Sequence, residues 1–226
     1  MKKIISILAT ALCSICLNAQ QFGNFEVSNF NLALGSGSVS FTYYDANWNG
    51  LSLKYLGKPM EGFPKYEKGK FYDLQANLFA RLDNFGTLSQ KFTFSGRNTC
   101  RLSATMTPSE TAKYNEISYA FSFPISESKL KLDSIAINPE ESLKIQKVFS
   151  AKRVEVECAY ENVVFEGDLN LLVQDNRIFG GTTYSLRFKP RKEGNTLTWN
   201  IKVSFEEPDG SPIYMNKAPA KNLDIP

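Results

Sequence analysis

An all-β protein built from two antiparallel sheets packed face to face is what this sequence predicts, on three observations. Apolar residues recur at every second position in segment after segment from Phe30 to Phe205, the period of a strand with one buried face. Gly, Asn, Ser and Pro punctuate those segments at short intervals, as turns require. No segment carries the apolar spacing of a full helix. About a dozen strands in a mature span of ~200 residues fit one sandwich, for which such a length is ordinary.

The chain opens on Met1-Lys2-Lys3, an apolar run from Ile4 to Leu17 and a cleavage site at Leu17-Asn18-Ala19, which read as a signal peptide over residues 1–19. That run is too short for a membrane span and no later one is longer, so no transmembrane span is expected. Phe30, Leu32 and Leu34, then Val39, Phe41 and Tyr43, then Leu51, Leu53 and Tyr55 alternate around turns at Gly35-Ser36-Gly37 and Asn49-Gly50, making a meander. A loop with Gly57, Pro59, Gly62 and Pro64 precedes a long strand with Tyr72, Leu74, Ala76, Leu78, Ala80 and Leu82 on one face. Strands follow at Phe92 and Phe94, at Cys100 to Met106, and at Ile117 to Phe123. Ser126 to Phe149 is less regular, with a slip at Ser134 and a short helical turn expected at Pro139-Glu140-Glu141.

Val163 to Phe188 organises the rest. Leu169, Leu171 and Val173 face one way, Tyr184, Leu186 and Phe188 return the same way, and the loop Asp175 to Gly181 between them concentrates an acid, an amide, a guanidinium and an aromatic beside two glycines. The strand from Leu197 to Phe205 alternates without a break, which assigns Trp199 to the core. Pro208, Gly210, Pro212, Pro219 and Pro226 then mark a tail. The domain reading is a sandwich over 20–207 and a Pro-rich linker over 208–226. A jelly-roll or a galactose-mutarotase-like supersandwich both fit. A closed barrel is the alternative, its outer-membrane form disfavoured by uneven strand lengths and the lack of repeated aromatic girdles.

Composition excludes more chemistry than it suggests. The chain has no His, which removes Ser-His and Cys-His nucleophile pairs and His-ligated zinc. No phosphate-binding Gly loop follows a strand. Lys plus Arg number 26 against 23 Asp plus Glu, and without Lys2 and Lys3 they nearly balance, with no basic run to follow a nucleic acid. Cys13 and Cys16 fall in the leader. Cys100 and Cys158 lie in phase with apolar neighbours and are expected to be buried, either bridged or as inert thiols.

Asp45-Ala46-Asn47-Trp48-Asn49-Gly50 matches the first half of a calcium loop, but Leu56 stands where the bidentate acid belongs. An Asn-Gly hairpin is preferred, and calcium is the only cofactor kept in view. Trp48, between Asn47 and Asn49, is either an exposed ring suited to the apolar face of a sugar or a lid over the sheet edge. In the second loop Arg177 is expected to hold the loop shape through Asp175, with Phe179 packing beneath it. The candidate carbohydrate contacts are therefore Trp48, Asn47, Asn49, Arg177 and Phe179. Asp73, Asp175 and Glu166 are the acids to watch, each with a solvated or turn-stabilising role preferred.

Asn18-Ala19-Gln20 closing the leader, Phe165-Glu166-Gly167-Asp168 through Gln174-Asp175-Asn176-Arg177, Gly180-Gly181, Tyr184-Ser185-Leu186-Arg187 and Met215-Asn216-Lys217-Ala218-Pro219 together resemble the amino-terminal β-sandwich module of large secreted carbohydrate-active proteins of Bacteroidota type. The resemblance covers mainly Val163 to Pro226. It implies a non-catalytic accessory module, carbohydrate-binding or scaffolding, of a periplasmic, cell-surface or secreted glycan-degrading protein. Its partners would be a polysaccharide or oligosaccharide and a catalytic domain beyond Pro226, so that this chain would be a truncated form. A small polysaccharide lyase or glycoside hydrolase on a sandwich, and a structural protein without a sugar ligand, are the alternatives.

Overall fold

The computed structural model describes residues 20–206 except 23–24, 29–30, 35–36, 51–52, 56–73, 83–84, 126–127, 134, 138–146 and 159–160. The signal peptide, the Gly35-Ser36 turn, the loop containing Gly57 to Pro64, Asp73, the Ser134 slip, the turn at Pro139 to Glu141 and the tail 208–226 lie outside the described residues.

Period-two alternation becomes strand nearly everywhere it occurs. An amino-terminal meander consists of β1 (Gln20–Phe22), β2 (Phe25–Ser28), β3 (Asn31–Leu34) and β4 (Gly37–Asp45). A second runs through β5 (Leu53–Tyr55), β6 (Leu74–Leu82), β7 (Gly86–Ser95) and β8 (Thr99–Pro108). The chain then forms β9 (Tyr114–Pro124), β10 (Ser128–Leu132), β11 (Ile135–Ile137) and β12 (Lys147–Cys158). It finishes with β13 (Asn162–Asp175), β14 (Thr183–Phe188), β15 (Arg191–Glu193) and β16 (Thr196–Glu206). A one-turn 3-10 helix at Asn176–Phe179 separates β13 from β14. Among the described residues no helix is long and apolar enough to cross a membrane.

All pairings between these strands are antiparallel, in the ladder order β1-β2-β3-β4-β9-β14-β13-β16-β8-β7-β6-β5, with β10, β11, β12 and β15 attached beside it. The ladder folds over on itself, so strands distant in it meet through their buried faces. Phe25 of β2 lies 5.7 Å from Phe94 of β7 and 5.1 Å from Phe205 of β16, between ring centroids. Tyr119 of β9 meets Trp199 of β16 edge-on at 5.3 Å, and Phe121 of β9 meets Phe165 of β13 at 5.1 Å. The result is a sandwich-like fold whose core these aromatic rings fill, each offset or tilted as ring quadrupoles prefer. Tyr119 is wholly buried and hydrogen-bonds through its hydroxyl to Gln90, a buried amide in phase with Leu88 and Phe92.

Strand β13 joins the two layers. Along one edge it pairs with β12; along the other its first half pairs with β16 (Asn162 to Glu166) and its second with β14 (Leu171 to Asp175). The bend between the halves is a bulge in which Gly167 and Asp168 oppose the single residue Lys152. Gly167 has φ 146°, and a Cβ there would lie 2.8 Å from the Asn200 carbonyl oxygen of β16, so glycine is required on both conformational and steric grounds. On the β12 side the Asp133 carboxylate accepts from the Lys152 amide at 2.9 Å and the Arg153 amide at 2.8 Å, satisfying two donors just past the last pair of β10 with β12, Leu132 with Val154.

Cys100 is a free thiol. Cys100 is buried and Cys158 half-buried against the core. Burial alone pushes the Cys100 thiol far above its ordinary range.

Candidate functional site

The turn after β4 is built by one acid. Asp45 Oδ1 accepts from the amides of Asn47 and Asn49, each at 2.8 Å, and its Oδ2 accepts from Asn49 Nδ2 at 3.0 Å. The Asn49 side-chain bond, foremost, holds the Asp45 carboxyl below its usual range. The acid that a calcium loop would offer to a cation is thus engaged by its own loop, as in an Asx turn. Among the described residues no group of three or more His, Cys, Asp or Glu could hold a metal ion. Asn115 Nδ2 donates to the Ala46 carbonyl at 2.9 Å from β9 and ties the turn to the sheet.

This tight turn forces Trp48 to φ 65°, a left-handed conformation that bulky residues avoid. Trp48 is 59% exposed, and its ring lies 6.0 Å from that of Tyr44, tilted by 50°. Trp48 is therefore a platform beside Tyr44 rather than a lid, and Asn47 and Asn49 flank it on the exposed turn.

The second loop has a different character. Asp175 is 1% exposed and paired with Tyr184 across β13 and β14, facing inward. Its carboxylate caps the 3-10 turn, accepting from the Arg177 amide at 2.9 Å and from Nε at 3.0 and 2.9 Å, with Nη2 also paired. Arg177 holds the loop shape through Asp175. Phe179, expected beneath it, is instead 71% exposed, with Ile178 44% exposed beside it. None of the four residues of this 3-10 turn is buried, so the turn stands clear of the core and Phe179 with it.

These two groups do not form one site. Asp45 pairs with Tyr114 at the start of β9, while Thr183 pairs with Pro124 at its end. The eleven residues of β9 put about 33 Å between the ends at ~3.3 Å per step.

A concavity lies elsewhere, where β14 and β16 part company beside the β13 bend. It measures about 590 Å³, within the range of small-molecule sites. Leu169, Phe188, Trp199 and Ile201 floor it, all buried, and the Trp199 indole donates to the Phe188 carbonyl at 3.0 Å beneath. Its walls are polar. Asp168 pairs with Lys152 of the opposing bulge position and, at 2.9 Å, with Arg191 of β15. Glu166 pairs with Lys202 at 2.7 Å, and Arg101 donates to the Asn200 side chain at 3.0 Å. The Lys152 bond, then that of Arg191, holds Asp168 below the ordinary carboxylate range, and Lys202 does the same for Glu166.

Next to the cleft, on the outward face of β9, the buried Glu116 accepts from Arg187 at 2.7 Å, lies 3.5 Å from Lys189 and accepts from Ser118 at 2.8 Å. The periodicity of the chain does not mark Lys152, Asn170, Lys189 or Arg191 as members of a site. The available signal was Gly167 inside an otherwise unbroken strand, together with the run Lys189-Pro190-Arg191-Lys192 where β14 ends. Neither a protein-family model nor a curated protein matches this chain.

Proposed function

We propose that this chain is a non-catalytic accessory β-sandwich module of a secreted or cell-surface glycan-degrading protein and that it binds carbohydrate. The observation that carries this reading is the Trp48 platform: a large apolar ring held in the left-handed region and 59% exposed by a turn that Asp45 locks. Such an arrangement costs on the order of 1–2 kcal/mol of backbone strain and hides little apolar surface, so core packing does not account for it. A rigid ring flanked by the amides of Asn47 and Asn49 suits the C–H face and hydroxyl rim of a sugar. Asp168 and Glu166 are engaged by Lys152, Arg191 and Lys202 and held below the ordinary carboxylate range, which suits neither to the role of the proton donor a glycosidase needs.

The test is retention on insoluble polysaccharides. The wild-type protein should be pulled down on at least one neutral polysaccharide, and Trp48→Ala should melt normally but stay in the supernatant. Equal retention of the two proteins would remove Trp48 from the function.

A further inference from the structure

The Trp48 platform and one wall of the cleft, that of Asn170 and Lys189, share the outward face of the layer that β4, β9 and β14 form, and the opposite wall belongs to β8, β15 and β16. Tyr44, whose ring neighbours Trp48, sits directly opposite Glu116 on β9. Glu116 in turn faces Lys189 at 3.5 Å, and the Lys189 amide donates to the Asn170 carbonyl at 2.7 Å in the cleft wall. Beyond Asn170 come Asp168 and its partner Lys152 on β12. The path crosses β4, β9, the end of β14, β13 and β12, four steps that span about 19 Å at ~4.8 Å each.

We propose that this path is one elongated binding track for a linear, uncharged oligosaccharide, with Trp48 stacking a ring at one end and the cleft enclosing the other. The idea rests on the carbohydrate reading above and adds the length and charge of the ligand. Arg101, Lys152, Lys189, Arg191 and Lys202 face Asp133, Glu166, Asp168 and Glu193 across the cleft and its adjoining recess, a near balance that gives a polyanion little net attraction. Lys152, Arg191 and Asp168 are more than half exposed in their side chains. Their pairs compete with water already and can exchange hydrogen bonds with hydroxyls, above a floor that is apolar and buried. Glu116, buried between Arg187 and Lys189, positions those side chains in the middle of the track.

Calorimetric titration of the whole chain with disaccharides and hexasaccharides of the cello-, manno- and xylo- series, and with a hexameric oligogalacturonide as the anionic arm, tests the track. One neutral hexasaccharide should bind on the order of ten-fold tighter than its disaccharide. That gain should vanish in Trp48→Ala and in Asn170→Trp, which fills the cleft, and shrink in Arg191→Ala, a second cleft variant that leaves β13 untouched. Binding that Trp48→Ala abolishes, but that is independent of length and unaffected by both cleft variants, would overturn the track and leave the Trp48 site standing. Preference for the oligogalacturonide would overturn the charge argument. Failure of the wild-type protein to bind any of these probes would overturn the track and the carbohydrate reading together.

Discussion

Arg177 has a side chain 44% exposed, yet the carboxylate it holds is 1% exposed, and that asymmetry decides what the pair is for. A buried carboxylate without partners is costly, whereas an exposed guanidinium is not. Arg177→Ala should therefore lower Tm by several degrees without touching the Trp48 turn at the far end of β9. The pH dependence has a definite sign. The Arg177 side-chain bonds, first among its causes, depress the Asp175 pKa below its ordinary value, so the pair stabilises the fold above the unfolded carboxylate pKa of about 3.9 and that contribution is lost as pH falls through the lower folded value. Removing the guanidinium leaves burial opposed only by the backbone amide at position 177, so Asp175 moves upward relative to wild type and acid unfolding of Arg177→Ala should begin at higher pH. Superimposable acid-unfolding curves, followed by circular dichroism, would contradict this account. Trp48 is the converse case, a residue whose strained backbone and exposed ring favour a role outside the core.

At the scale of elements, period two was legible wherever one face is buried. Leu197 to Phe205 and Cys100 to Met106 alternate as read, and Trp199 is core. The bend of β13 was not legible, because a bulge adds a residue without disturbing the parity of Phe165, Leu169 and Leu171, all of which remain buried. The alternation runs straight through a corner that only the register against β12 reveals. The 3-10 turn was hidden for a related reason: its identity depends on Asp175 facing inward to cap it, which loop composition does not specify. The site followed the same pattern. Trp48 stood out because no core period claimed it, whereas the cleft residues come from six separate strands that topology alone assembles. Gly167 tests the corner. In Gly167→Ala the left-handed φ and the approach to the Asn200 carbonyl both penalise the methyl group, and the loss should be about 1–3 kcal/mol. Urea denaturation should show a lower midpoint with an unchanged m-value; a midpoint equal to wild type would mean that the strand bends without needing glycine.

At the scale of the whole molecule, β12 and β13 prevent the two layers from behaving as separate units. Each runs through the corner, so β13 hydrogen-bonds to β16 of one layer and β14 of the other within fourteen residues. Neither layer can open without breaking a strand that the other also uses. The core repeats this coupling, since Trp199 of one layer packs against Phe41 and Tyr119 of the other at 6.1 and 5.3 Å. One cooperative transition follows. It can be read with Trp48→Phe, which leaves Trp199 as the sole Trp, of the two in the chain. Its fluorescence reports the contact between the layers, while far-ultraviolet circular dichroism reports strand content everywhere. The two signals should give the same urea midpoint and the same m-value. If Trp199 became solvated at lower urea than the strands melted, the layers would be separating while their ladders persisted, and the corner would be a hinge instead of a staple.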